Sequence, residues 1–164
     1  MRLALAKEGI PDIPHPLEST FQAHHGLVFR TAYRITGNAA DAEDVLQTVF
    51  LRLLRRDAGG GDLLQPESYL RRAAINCSID LIRDRMSGTA NLDHVAHTSG
   101  EDPELKQRLR QAIAQLDPKD AEIFVLRFFE GHSNEDIAQL TGMNKLLVAV
   151  KIHRIRHKLQ KEIK

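Results

Sequence analysis

Arg72, Asn76, Asp80 and Arg83 follow one another at intervals of 4, 4 and 3 residues, in a stretch whose other positions are largely apolar. On a helix this spacing makes a single narrow polar ridge. A helix packed on most sides with one such ridge suggests a binding function, although a solvated edge fits the spacing equally well. A second set of charged residues lies at the C-terminus. From Met143 onward there are seven Lys/Arg (Lys145, Lys151, Arg154, Arg156, Lys158, Lys161 and Lys164) against Glu162 alone. Cations gathered on one helix-length stretch suit phosphate binding. Catalytic chemistry has no such support, because no Gly-rich phosphate loop, Ser/His/Asp order or carboxylate pair stands out. His153 and His157 have i, i+4 spacing, but without nearby carboxylates or thiols they read as phosphate-facing or exposed rather than as zinc ligands. Cys77, the single cysteine, falls on an apolar stripe and reads as a small buried hydrophobe. The expectation is a non-enzyme with no metal and no cofactor.

The elements that position these residues are helical. Val28, Ala32 and Ile35, with Phe21 before them, mark one face of a first helix that ends at Gly37-Asn38. Ala42, Val45, Leu46, Val49, Phe50 and Leu53 give the clearest amphipathic pattern in the chain, with Asp41, Asp44, Thr48 and Arg52 on the opposite face. Gly59-Gly60-Gly61 predicts a flexible loop over about 57–65, and Pro66 suits the first turn of a third helix reaching Met86. In that helix Leu70, Ala74, Cys77 and Leu81 form one stripe, widened by Ile75, Ile79 and Ile82. Residues 87–104 carry no periodicity and read as an interdomain linker, which would leave the flanking parts mobile unless a partner holds them. Beyond it, Leu105, Leu109, Ile113 and Leu116 form a seam, and Asp117-Pro118 restarts the chain with a cap and a first-turn proline.

Ser133 and Asp136 form a capping-box pattern for a short helix, Thr141-Gly142-Met143 makes a tight connection, and Asn144 can cap a second helix. That last helix buries Val148, Ile152, Ile155 and Leu159 and leaves its cations outside. A short helix, a glycine turn and a basic amphipathic helix make the layout of a helix-turn-helix that sets its second helix in the major groove. The competing reading is an ordinary helical hairpin with a solvated basic face.

Size and composition fit this outline. The 164 residues are 42% hydrophobic and 27% charged, with 5% aromatic and no Trp, which favours small helical cores over a β-sandwich. The net charge of +1 is uninformative beside its distribution. No apolar run approaches a membrane span, and residues 1–16, broken by Lys7, Glu8 and three prolines, read as a tail rather than a signal peptide, so the cytoplasm is the default location. The fold class expected is all-α: two small helical domains, 17–86 and 105–164, joined by the flexible linker 87–104, the second containing the helix-turn-helix.

The motifs also resemble a family. Tyr33-Arg-Ile-Thr-Gly-Asn, Asp41-Ala-Glu-Asp-Val-Leu-Gln47, Ser68-Tyr-Leu-Arg-Arg, Asn76 and Ile79-Asp80 look like the first conserved domain of bacterial RNA polymerase sigma factors. Leu116-Asp-Pro, Phe124-Val-Leu-Arg-Phe-Phe-Glu-Gly131, Ile137-Ala and His153-Arg-Ile-Arg look like the second, and the small two-domain size matches the extracytoplasmic-function group of the sigma-70 family.

The resemblance implies a transcription initiation factor that binds core RNA polymerase and directs it to promoter DNA. Asp41, Asp44 and Gln47 occupy the positions that dock on the β′ clamp helices, with Thr48 where a Glu is usual. The third helix resembles the part that opens and reads the −10 element, which gives roles to Tyr69, Arg71, Arg72, Asn76, Asp80 and Arg83. Tyr69 stands where the family commonly has Trp and keeps a ring. The helix-turn-helix would read the −35 element through Lys145, Ala149, Val150, Lys151, His153, Arg154 and Lys158, and rest on the β-flap. Ala149 and Val150 replace a basic and a hydroxyl residue, and Leu146 and Leu147 are also atypical. Either −35 recognition is weak and leans on DNA shape, or the apolar helix start meets a protein such as an anti-sigma factor. A closed form, with one domain packed on the other, would be an inhibited state hiding both polymerase-binding faces. A sigma-like decoy that binds an anti-sigma factor without using promoters is the alternative function.

Overall fold

A computed structural model describes residues 15–57, 64–87 and 102–163. Most of the expected tail (1–14), the middle of the glycine loop (58–63) and most of the expected linker (88–101) lie outside the described residues. Seven helices and no strand are present among the described residues: α1 His15–Thr36, α2 Ala39–Asp57, α3 Pro66–Met86, α4 Pro103–Ala114, α5 Pro118–Phe128, α6 Asn134–Thr141 and α7 Lys145–Ile163.

Helices α1–α3 enclose one apolar cluster. The face of α2 anticipated from its 3.6-residue period is buried in full, from Ala42 through Leu53, against Val28 and Ala32 of α1 and Leu70, Ala74 and Cys77 of α3. Phe21 is more exposed than its place on the α1 face suggests, and its ring meets the edge of Phe50 at 4.8 Å. A second cluster is built by α4–α7. Val148, Ile152, Ile155 and Leu159 of α7 pack on Ile113, Leu116, Ile123, Val125 and Leu126, with Ile137 of α6 closing one side.

The second cluster does not stop at α4. Ile75 and Ile79 of α3 and Ile35 of α1 belong to it, each almost wholly buried. This explains the apolar breadth of α3: one stripe faces its own helical group and the widening isoleucines face the other. Burying a Leu or Ile side chain contributes about 1.5–3 kcal/mol, so both contacts matter to stability. The two helical groups therefore touch directly, where the linker alone suggests mobility.

The breaks follow local chemistry. Gly37 has φ +71°, its N–H donates to Tyr33 O at 2.7 Å, and a side chain there would collide with the Arg110 guanidinium. Asn38 caps α2 by accepting from the Asp41 N–H at 3.2 Å. Ser133 and Asp136 complete the anticipated capping box, Gly142 ends α6 at φ +73°, and Asn144 accepts from Leu146 N–H at 2.8 Å. Two local expectations fail. Asp117 stands at the α5 N-cap but its side chain makes no capping bond, leaving Pro118 as the start signal. Leu105 is exposed because it lies in the first turn of α4, ahead of the buried end Ala112–Ala114.

Candidate nucleic-acid interface

On α2, Asp44 and Gln47 are exposed and lie nearly one turn apart. Asp41 differs from them. Its side chain is only 2% exposed and both carboxylate oxygens accept from Arg85 in the last turn of α3. The sequence puts Asp41 on the polar face of α2. The fold corrects this: the residue is an internal anchor between α2 and α3, because a carboxylate in the first turn suits the helix dipole and a bidentate guanidinium satisfies it. Cys77 is buried as expected, and burial pushes its thiol pKa up, with Asp80 adding to the effect against Arg52 and Thr48.

The ridge of α3 is not a solvated edge. Arg72 donates through Nε to Glu122 of α5 and through Nη1 to the Leu140 carbonyl at 2.9 Å, near the end of α6. Arg83 donates through Nε to Ala114 O and through Nη2 to Leu116 O, both at 2.6 Å, at the end of α4. Asp80 is exposed, 3.8 Å from Arg83 Nη1, and Asn76 is half-buried. Arg71 bridges Glu130 at 2.8 Å and Glu67 at 3.0 Å, and Arg34 of α1 reaches the same Glu130 at 3.3 Å. Tyr69 is half-buried, with the Arg56 guanidinium 4.8 Å from its ring centre. Arg110 returns the pattern from the other side, donating to Ile35 O at 3.0 Å at the end of α1. Burial pulls the Arg110 pKa below its ordinary value.

Helix α7 keeps its cations on the surface. Lys145, His153, Arg154 and Lys158 are exposed, as is Val150, while Ala149 is half-buried. Lys151 is the exception, paired at 3.0 Å with Asp120 of α5. His157 is exposed too, and Arg156 lies 5.7 Å from the Phe128 ring centre. Leu146 is 73% exposed, and Leu147 and Val150 continue the apolar patch beside the glycine turn.

The residues missed from the sequence are the acidic partners. Glu122 and Glu130 have side chains 4% and 1% exposed, and both serve arginines of the other helical group. Glu122 carries a signal: a carboxylate inside the apolar run Ala121–Leu126 requires a cation when the run is buried. Glu130, just before Gly131, looks like an ordinary helix-end residue.

Comparison with known proteins assigns this arrangement to a class. The family model for sigma-70 region 2 matches residues 20–87, and that for sigma-70 region 4 matches residues 106–159. The chain belongs to the sigma-70 family, and its relatives include sigma factors of the extracytoplasmic-function type. It is 32% identical over 151 residues to the ECF RNA polymerase sigma factor SigE of Mycolicibacterium smegmatis, a match covering 84% of this chain and 57% of that longer protein. It is 28% identical over 150 residues to the RNA polymerase sigma-E factor of Streptomyces avermitilis, covering 89% and 84%. The sigma factor RpoE of Bartonella quintana, solved in complex with the anti-sigma factor NepR, shares the fold at a TM-score of 0.52 and 19% identity, over 89% of this chain and 95% of that one. No described helix is long and apolar enough to cross a membrane.

Proposed function

We propose that the protein docks on core RNA polymerase through α2 and directs it to promoters through α3 and α7, with no catalytic activity of its own. In this reading residues 17–86 form the region 2-like unit, 87–104 the linker and 105–164 the region 4-like unit, acting in the cytoplasm. Asp44 and Gln47 contact the β′ clamp helices, and Asp41 supports them by fixing the start of α2 through Arg85. Tyr69, Arg71, Arg72, Asn76, Asp80 and Arg83 open and read the −10 element. Lys145, Ala149, Val150, Lys151, His153, Arg154 and Lys158 face the −35 element, and the unit rests on the β-flap.

The observation that carries this reading is α7, whose apolar stripe is buried while most of its cations lie in solvent beside a glycine turn. The exposed Leu146, Leu147 and Val150 favour one addition, an anti-sigma factor that covers this patch.

Co-elution with purified core polymerase at low salt tests the polymerase contact. Wild type should co-elute, and Asp44→Ala with Gln47→Ala should weaken binding by about 1–3 kcal/mol, the scale of interface hot spots, with helical content unchanged. Undiminished binding of the double variant would refute the α2 assignment.

A further inference from the structure

The outward face of α7 divides into an apolar start and a polar remainder. Leu146, Val150, His153 and His157 follow one another at intervals of 4, 3 and 4 residues, and all are exposed. The buried stripe Val148, Ile152, Ile155 and Leu159 repeats those intervals two residues later, about 200° around the helix, so the first stripe points away from the core. Cations flank it. Arg154 and Lys158 lie on one side and Lys145 and Arg156 on the other, all exposed. A strip between two basic margins complements a duplex groove, whose base edges lie between two phosphate backbones. The strip itself begins without any hydrogen-bonding side chain. Residues 146–150 are Leu, Leu, Val, Ala and Val, and Lys151 after them is held by Asp120 at 3.0 Å. Yet the N-terminal residues of a recognition helix are the ones that reach base edges in the major groove.

We infer that α7 reads its −35 element through thymine methyl groups, with Leu146 and Val150 as the specificity-determining residues. The inference rests on the −35 role proposed for α7. Leu and Val have no donor or acceptor, so they gain nothing from guanine O6 and N7 or from the amino group of cytosine. Pressed against those groups, they strip water without replacing it. The C5-methyl of thymine is the one apolar feature of the major-groove edge. Covering it removes apolar surface on both partners, worth about fourfold in affinity for each methyl. The preference therefore has two signs, attraction to thymine and a penalty at a G·C pair in the same place. His153, two turns beyond Leu146, is the first side chain of the stripe that can bond a base edge, so polar reading begins where apolar reading ends. The flanking cations add attraction that is blind to sequence. An anti-sigma factor covering Leu146 and Val150 would displace the duplex, so the two occupy this patch in turn.

The test uses the full chain with core polymerase to enrich duplexes from a pool of random sequence, against core polymerase alone. The enriched duplex is then remade with deoxyuridine for thymine, which deletes the C5-methyl and keeps every hydrogen-bonding group. Affinity should fall about fourfold for each contacted thymine replaced. Cytosine at such a position should cost more, and 5-methylcytosine should recover part of that loss. With Leu146→Ser and Val150→Ser combined, thymine and deoxyuridine duplexes should bind alike, and circular dichroism should show an unchanged fold, since both positions are exposed. Equal wild-type affinity for the two duplexes, while Arg154→Ala with Lys158→Ala weakens binding, would overturn methyl reading and leave the −35 role standing, with DNA shape as its basis. A thymine preference that survives the double serine variant would place methyl reading elsewhere in the chain and leave this patch to a protein partner, which also overturns the inference. No enrichment over core polymerase alone would overturn the −35 role and methyl reading together.

Discussion

Helices α3 and α7 both carry basic residues beside a buried apolar stripe, arginines alone on α3 and lysines with arginines on α7, yet the two sets of cations have opposite fates. On α7 they project into water, apart from Lys151 on Asp120. On α3, Arg71, Arg72 and Arg83 are absorbed by carboxylates and helix ends of the neighbouring group, and Arg85 by Asp41 of its own group. The difference lies in what surrounds each helix. Helix α7 packs on one side only, whereas α3 has apolar residues toward both clusters, so its polar ridge runs along a seam between two packed bodies. A charge pattern on a one-sided helix marks a free surface. The same pattern on a two-sided helix marks a joint.

The largest effect that would sharpen this contrast is in the joint. Ile79→Ala removes a buried side chain facing the second cluster and should lower stability by about 2–5 kcal/mol, read from chemical denaturation. A loss below 1 kcal/mol, on the order of a surface change, would show that α3 is not packed on both sides. Arg72→Ala comes next. It strips a buried Glu122 of its partner and should cost about 1.5–3 kcal/mol of stability, since hydrogen bonds to charged groups are worth that much.

Ser133→Ala opens the capping box of α6, the helix that sets the angle of α7, and should cost about 1 kcal/mol. The smallest effect on stability belongs to α7. Lys158→Ala should leave stability within about 0.5 kcal/mol of wild type. Its expected effect is instead on promoter-duplex binding, where the salt dependence should flatten by about one counterion. A stability loss at Lys158 as large as that at Arg72 would erase the contrast between the two helices.

The legibility of these helices in the sequence obeys the same division. The stripe Val148, Ile152, Ile155 and Leu159 and the stripe Ala42–Leu53 are legible because local periodicity alone decides them. So are the caps at Ser133 and Asn144, which depend on neighbours two or three residues away. Asp41 is misread from the sequence because Arg85, its partner, lies 44 residues downstream and helical period is blind to it. The ridge of α3 is recognisable as a unit, but its partners, Glu122 and the ends of α4 and α6, come from beyond the linker, as does Glu130, the partner of neighbouring Arg71. Local chemistry is written in the spacing, whereas a contact between two bodies depends on both surfaces at once.

The central claim, that the chain delivers core polymerase to promoters, is tested most directly by transcription in vitro. Purified core polymerase with the full-length protein should give transcripts of discrete length from a subset of promoter templates, with none from scrambled templates. Adding the protein in its Asp44→Ala, Gln47→Ala form should reduce them. Stable binding to core polymerase with no promoter-specific transcript from any template would contradict the account and favour a sigma-like decoy.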